Sequence, residues 1–276
     1  MLPTLLQLGP IRIASFSVFI LLAFLASTFI VWRTSKREYL SEEKTMDLYL
    51  LSVVWGIVGA RLSYVLLYPE KFGLNILRIL LPSWMPGFYT YGGLVAAVIS
   101  VIVLSRKHEA SYKKYLDIFA PALILSVGLY KIGQFLDGSL IGISTNIPYF
   151  GMLTVVGEAG HFVPLALIQA VIYFAAFYLI TNKWSRYFLI TRKLPMGIFL
   201  TSATLVATIE SFSFFLTRDK LFISVVPISL VIVLLILVIS ASMLYRLTRK
   251  FKQDKELIFK FLKKLTRKKV ITADSQ

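Results

Sequence analysis

The chain has 276 residues, of which 57% are hydrophobic and only 16% charged. Soluble chains carry about 25% charged residues, and a mean hydropathy of +0.76 excludes a free-standing water-soluble domain. The absence of cysteine excludes disulfides, thiolate metal sites and a cysteine nucleophile, and the net charge of +16 is strung between apolar runs, a pattern of membrane topology and not of nucleic-acid binding.

A membrane-spanning helix needs roughly 20 mostly apolar residues. Seven stretches meet or approach that length: Ile13–Trp32, Met46–Tyr68, Phe88–Ser105, Leu116–Phe135, Phe162–Ile180, Leu194–Phe215 and Leu221–Tyr245. The third is the shortest. The reading is an all-α integral membrane protein of about seven transmembrane helices. Residues 1–245 form a single polytopic membrane domain and 246–276 a basic cytoplasmic tail. No internal repeat is visible, so a duplicated transporter core has no support.

Basic residues cluster after alternate spans. Arg33, Lys36, Arg37 and Lys44 follow the first, Arg106, Lys107, Lys113 and Lys114 the third, and Lys183, Arg186, Arg192 and Lys193 the fifth. The intervening segments are poor in them; 137–161 has none. The positive-inside rule then places the N-terminus outside and the C-terminus in the cytoplasm. The first span lacks a basic stretch before it and is expected to be a retained anchor. In the tail, Ile258, Phe261, Leu262 and Leu265 fall at i, i+3, i+4 and i+7 among lysines. This suits an amphipathic helix on anionic membrane lipids, and a solvated topological tail suits it equally. Two outer segments exceed simple turns. Residues 69–87 are expected to lie in the interface. Residues 137–161, rich in small polar residues, must be covered by protein or line a wet cavity.

Ionisable residues inside spans are costly and mark functional sites. Arg61, Lys131 and Glu210 lie in the second, fourth and sixth spans, and Asp137 follows Lys131 at the span end. The topology puts all four at similar depth near the outer headgroups. Two cations there suit a phosphate diester; snorkelling or a structural ion pair is the plainer alternative for each. Lys131 and Gln134 share a helix face. The two histidines, His108 and His161, fall on opposite sides of the membrane, so no metal cluster is expected. A nucleotide loop and a dinucleotide fingerprint are both missing, so no cofactor is expected.

The order of these motifs resembles the prolipoprotein diacylglyceryl transferases of bacteria. Asp117-Ile118-Phe119-Ala120-Pro121 is similar to the family's Asp-x-x-Ala-Pro run. Lys131-Ile132-Gly133-Gln134-Phe135-Leu136-Asp137-Gly138-Ser139-Leu140-Ile141-Gly142 is similar, without a gap, to Arg-x-Gly-Asn-Phe-x-Asn-Gly-Glu-x-x-Gly. Gly59-Ala60-Arg61-Leu62, Tyr91-Gly92-Gly93-Leu94, Pro164, Leu8-Gly9-Pro10 and Glu210 also fit. The departures are polar: Lys131 for arginine, Gln134 and Asp137 for asparagine, Ser139 for glutamate, Tyr91 for histidine. Val206 and Ser213 replace late arginines, and Ile168-Gln169 a Tyr-Glu pair.

The resemblance implies a multi-pass protein of the bacterial cytoplasmic membrane. It implies transfer of a diacylglyceryl group from phosphatidylglycerol to the lipobox cysteine of a prolipoprotein signal peptide. It places Arg61, Lys131, Gln134, Gly138 and Gly142 at substrate-binding positions and Tyr91, Asp137 and Glu210 at catalytic ones. Any of the last three is available to take or relay the thiol proton, with positioning favoured for Tyr91. Arg61, Lys131, Asp137 and Glu210 are expected to converge on one outer cavity. The alternative is a relative that binds phospholipid or lipoprotein without transfer, for which the lost cations argue. An unrelated transporter or channel would need a path open to both sides, and nothing in the loops suggests one.

Overall fold

A computed structural model describes residues 4–8, 11–72, 79, 87–107, 111–145, 161–184, 195–217 and 228–247. The expected amphipathic tail, most of the interfacial segment 69–87 and residues 146–160 lie outside the described residues. Strands β1 (Thr4–Leu8) and β2 (Ile11–Ala14) form an antiparallel hairpin, with Thr4 opposite Ala14 and Leu8 opposite Ile11. Then come α1 (Ser15–Arg37), α2 (Glu42–Leu67), the short α3 (Pro69–Phe72), α4 (Thr90–Leu104), α5 (Tyr112–Asp137), α6 (Leu165–Tyr178), α7 (Gly197–Leu216) and α8 (Ile228–Leu247). A 3₁₀ turn, Ser105–Lys107, follows α4, and a π-helical turn, Leu179–Trp184, extends α6.

Each predicted span has a helix in the structure. Among the described residues six helices are long and apolar enough to cross a membrane, whereas α4 is apolar but only 15 residues long. At about 1.5 Å per residue it reaches little more than 20 Å. Helix α2 starts before its apolar stretch, because Ser41 caps it. The Ser41 hydroxyl accepts from the Lys44 amide at 3.4 Å, and Glu42 and Glu43 sit in the first turn, where the helix dipole favours acids. Large apolar side chains such as Leu21, Trp55, Val171, Phe212 and Val238 point outward. This is the surface of a protein whose solvent is lipid.

Helix α5 is central: half of its most apolar stretch is buried, against 11% for the peripheral α8. It packs on α1, α6 and α7. Small residues permit the close approaches. On the α2–α4 seam a Cβ at Gly59 would overlap that of Ala96, and one at Gly92 would overlap the Ser63 side chain. A Cβ at Gly93 would stand 2.9 Å from both Ala60 Cβ and the Gly56 carbonyl oxygen. On the α1–α5 seam a Cβ at Gly133 would stand 3.0 Å from Phe19 Cβ.

Polar groups then fix which parts of these helices meet. Ser27 and Tyr49 hydroxyls lie 2.6 Å apart between α1 and α2. The Asp117 carboxylate on α5 accepts from the Met196 and Phe199 amides, both at 2.8 Å, and so caps α7 from a neighbouring helix. Those amides begin a helix and have no intrahelical acceptors of their own. The start of α5 is also tied to the end of α1, where the Lys114 ammonium donates to the Glu38 carbonyl at 3.1 Å.

The seam yields a paired test. Gly59→Ala is expected to destabilise the protein by about 1–3 kcal/mol through overpacking, lowering its unfolding midpoint in detergent. Gly56→Ala, whose Cβ would meet Ala97 at an ordinary 3.4 Å, should leave that midpoint nearly unchanged.

Candidate functional site

A cavity of about 170 Å³ opens at the end of the bundle where α5 and α7 finish. Its wall takes Tyr91 from the start of α4, Lys131 from α5, Gln169 from α6, Glu210, Ser213 and Thr217 from α7, and Ser229 and Val233 from α8. Lys131 Nζ lies 3.0 Å from Glu210 Oε1, with the two side chains 9% and 17% exposed. Tyr173 on α6 donates its hydroxyl to the same oxygen at 2.7 Å. Three helices therefore meet on one carboxylate oxygen. An ammonium and a carboxylate buried at this depth each suffer a desolvation cost that only a close partner offsets. The ammonium has three donors, and the ion pair uses one.

The outer wall is made by backbone. Helix α5 ends at Gly138, whose φ of 76° lies in the left-handed region, where glycine meets no Cβ penalty. Its amide donates to the Gln134 carbonyl at 3.0 Å. The chain then pairs with two other segments. Ile143 N–H donates to the Leu216 carbonyl at 2.9 Å, Val163 N–H to the Ile143 carbonyl at 3.1 Å, and Thr145 N–H to the His161 carbonyl at 2.9 Å. Gly142 sits at the crossing, bridged to Thr217, where an added Cβ would stand 2.6 Å from the Val163 carbonyl oxygen. Leu140 and Thr217 carry this roof into the cavity wall.

Of the residues singled out in sequence, Tyr91, Lys131 and Glu210 line the cavity. The expected convergence of four charges is corrected by the structure, because Arg61 and Asp137 are not among the described lining residues. Arg61 is 7% exposed. Its Nε donates to the Ile79 carbonyl and its Nη1 to the Gly87 carbonyl, both at 2.9 Å, and its guanidinium lies 5.0 Å from the Phe72 ring centroid. It ties Ile79 and Gly87 to α2. Asp137 is exposed at the C-terminus of α5. Gln134 donates from Nε2 to the Tyr130 hydroxyl at 3.1 Å and stands outside the lining. Gly138 and Gly142 shape the roof through their backbone.

Sequence reading missed Tyr173 and noted Gln169 only as a departure from the resemblance. Tyr173 is fully buried and holds Glu210; its only signal was a hydroxyl one helical turn from Gln169 in an apolar span. Gln169 is 1% exposed, and its Oε1 has no hydrogen-bond partner among the described residues. Ser213, which stands where the resemblance expects arginine, lines the cavity. Val206 packs in the apolar cluster around Ile124, Tyr173 and Ala176.

The chain matches the prolipoprotein diacylglyceryl transferase family over residues 3–246. It belongs to that family. A Geobacter sulfurreducens protein named phosphatidylglycerol–prolipoprotein diacylglyceryl transferase is 27% identical over 198 residues, covering 71% of this chain and 74% of its own length. One of the same name from Chloroherpeton thalassium is 26% identical over 204 residues, covering 73% and 76%. Another, from Finegoldia magna, is 30% identical over 151 residues, covering 55% and 60%. The chain is thus a multi-pass membrane member of the family.

The Lys131–Glu210 pair makes a double-mutant cycle decisive. Removing one partner strands the other charge, so Lys131→Met alone should cost about 3–5 kcal/mol. Lys131→Met with Glu210→Gln should recover much of that loss, measured as unfolding free energy in detergent. Equal, additive losses would mean that the two charges do not interact.

Proposed function

We propose that this protein transfers a diacylglyceryl group from phosphatidylglycerol to the lipobox cysteine of a prolipoprotein. The observation that carries the reading is the Lys131–Glu210 pair in a cavity among membrane helices, in a chain of this family. The setting is the bacterial cytoplasmic membrane, with the N-terminus outside and the cavity at outer-leaflet depth. There a lipid headgroup and a signal peptide are both within reach.

The reaction replaces a carbon–oxygen bond with a carbon–sulfur bond. The thiol loses its proton, because thiolate is the nucleophile. Its sulfur attacks the glyceryl carbon that bears the phosphate ester, and glycerol phosphate leaves with the bonding pair. Lys131 answers the charge that grows on the departing phosphate. Glu210 accepts the thiol proton, with Tyr173 fixing its orientation and Tyr91 bounding the space for the reacting carbon. Arg61 contributes by tying Ile79 and Gly87 to α2.

The ion pair couples the two tasks. Lys131 and Glu210 satisfy each other. A phosphate diester competes for the ammonium and loosens its hold on the carboxylate. Lipid binding therefore prepares the base, and the peptide thiol is activated after the lipid has arrived.

A second reading is binding of phospholipid without transfer. Val206 in the apolar cluster favours it, because a lone lysine already paired with a glutamate is a weaker clamp than an arginine fork. One assay separates the two: purified protein, labelled phosphatidylglycerol and a lipobox peptide, scored for thioether. Wild type is expected to form product, with Lys131→Ala and Glu210→Gln each slower by about 100-fold or more and Lys131→Arg active. Lipid retention without thioether, from folded protein, would establish the binding reading.

A further inference from the structure

We propose that the Gln169 carboxamide recognises a hydroxyl of the lipid headgroup and is a specificity-determining residue of the cavity. Gln169 lies on α6 and is 1% exposed, yet lines the same space as Lys131 and Glu210. Its Oε1 is buried and has no hydrogen-bond partner among the described residues. The nearest candidate on its own helix face, Tyr173 one turn on, is committed to Glu210 at 2.7 Å. A buried amide left unpaired is costly, and folded chains seldom tolerate it unless a bound group supplies what is missing.

The chemistry of the missing partner follows from the atoms. An amide oxygen accepts only, so the partner must bring a donor. A phosphate diester has none, and its oxygens belong with the Lys131 ammonium. That leaves an alcohol or an ammonium on the far side of the phosphate. Among the described lining residues the charges of Lys131 and Glu210 cancel, and a second cation beside Lys131 would be repelled. An alcohol suffers no such repulsion. The surrounding wall, with hydroxyls from Ser213, Thr217 and Ser229, suits a polyol. The glycerol headgroup of phosphatidylglycerol, the lipid of the proposed function, meets this requirement. Rejection of the analogue lacking the hydroxyl comes from leaving the carboxamide unpaired, which discriminates more sharply than any apolar contact.

The inference rests on the proposed function only for the entry of a phospholipid into the cavity; it does not require transfer. The test is binding of phosphatidylglycerol and of phosphatidylpropanol to the purified full-length protein in lipid-free detergent. The second lipid is the same diester with both headgroup hydroxyls removed. Wild type is expected to prefer phosphatidylglycerol by on the order of tenfold or more. Gln169→Met, of similar volume, should abolish the preference by weakening phosphatidylglycerol while leaving phosphatidylpropanol unchanged. Gln169→Asn, which keeps the amide but withdraws it from the ligand, should do the same and covers the case in which the methionine variant does not fold. Equal binding of the two lipids by wild type, as expected of an amide that holds only water, overturns the proposal. So does a preference that survives both substitutions. Thioether formation is scored in parallel. A Gln169-dependent preference without thioether keeps this assignment and sinks the transferase reading, and thioether without a preference does the reverse.

Discussion

The protein turns on two polar clamps between α5 and α7. At one end Asp117 receives the amides that open α7. At the other, Lys131 meets Glu210. The same number of residues separates the Asp117–Met196 and Lys131–Glu210 contacts on each helix, so the two helices run side by side in register. Apolar packing alone would let them slide, because lipid tails match side chains in polarity and offer no directional preference. A carboxylate facing two amides, and a cation facing an anion, tolerate no such slip. Tyr173 brings α6 to the same register by binding the oxygen that Lys131 binds.

Everything near the cavity depends on that alignment. The α2–α4 seam delivers Tyr91 to the wall because Gly59 and Gly92 let the helices close completely. Arg61 ties Ile79 and Gly87 to α2 through bonds to their carbonyls. Its burial is the mark of a tie between elements. Lys131 is buried to the same degree, yet it faces a cavity rather than a loop.

Hydropathy made the helices legible, since each predicted span contains most of one observed helix. Their ends were less so. Ser41 and the two glutamates after it extend α2 beyond its apolar stretch, which a hydropathy window does not weigh. The β1–β2 hairpin was not anticipated, because its apolar residues run straight into the first span, which the hydropathy window begins at Ile13. The charged residues were found and their depth argued, but depth does not give direction around a helix. Arg61 and Lys131 looked equivalent for that reason, as did Asp137 and Glu210. Tyr173 was hidden for a different reason. Its importance lies in one contact, which leaves no trace in composition, while Gln169 was noted only as a departure from the resemblance.

The roof over the cavity is bonded through amides and carbonyls from three stretches of chain, with glycine where the crossing is tightest. Asp137 and Ser139 project outward from it. Its form is therefore insensitive to what those two positions carry. Changing those two side chains leaves the backbone bonds of the roof in place. Positions on the floor enjoy no such latitude, because Lys131 and Glu210 each answer for the other's charge. Divergence in this chain is accordingly cheap on the rim and coupled in the interior, where one change demands a second.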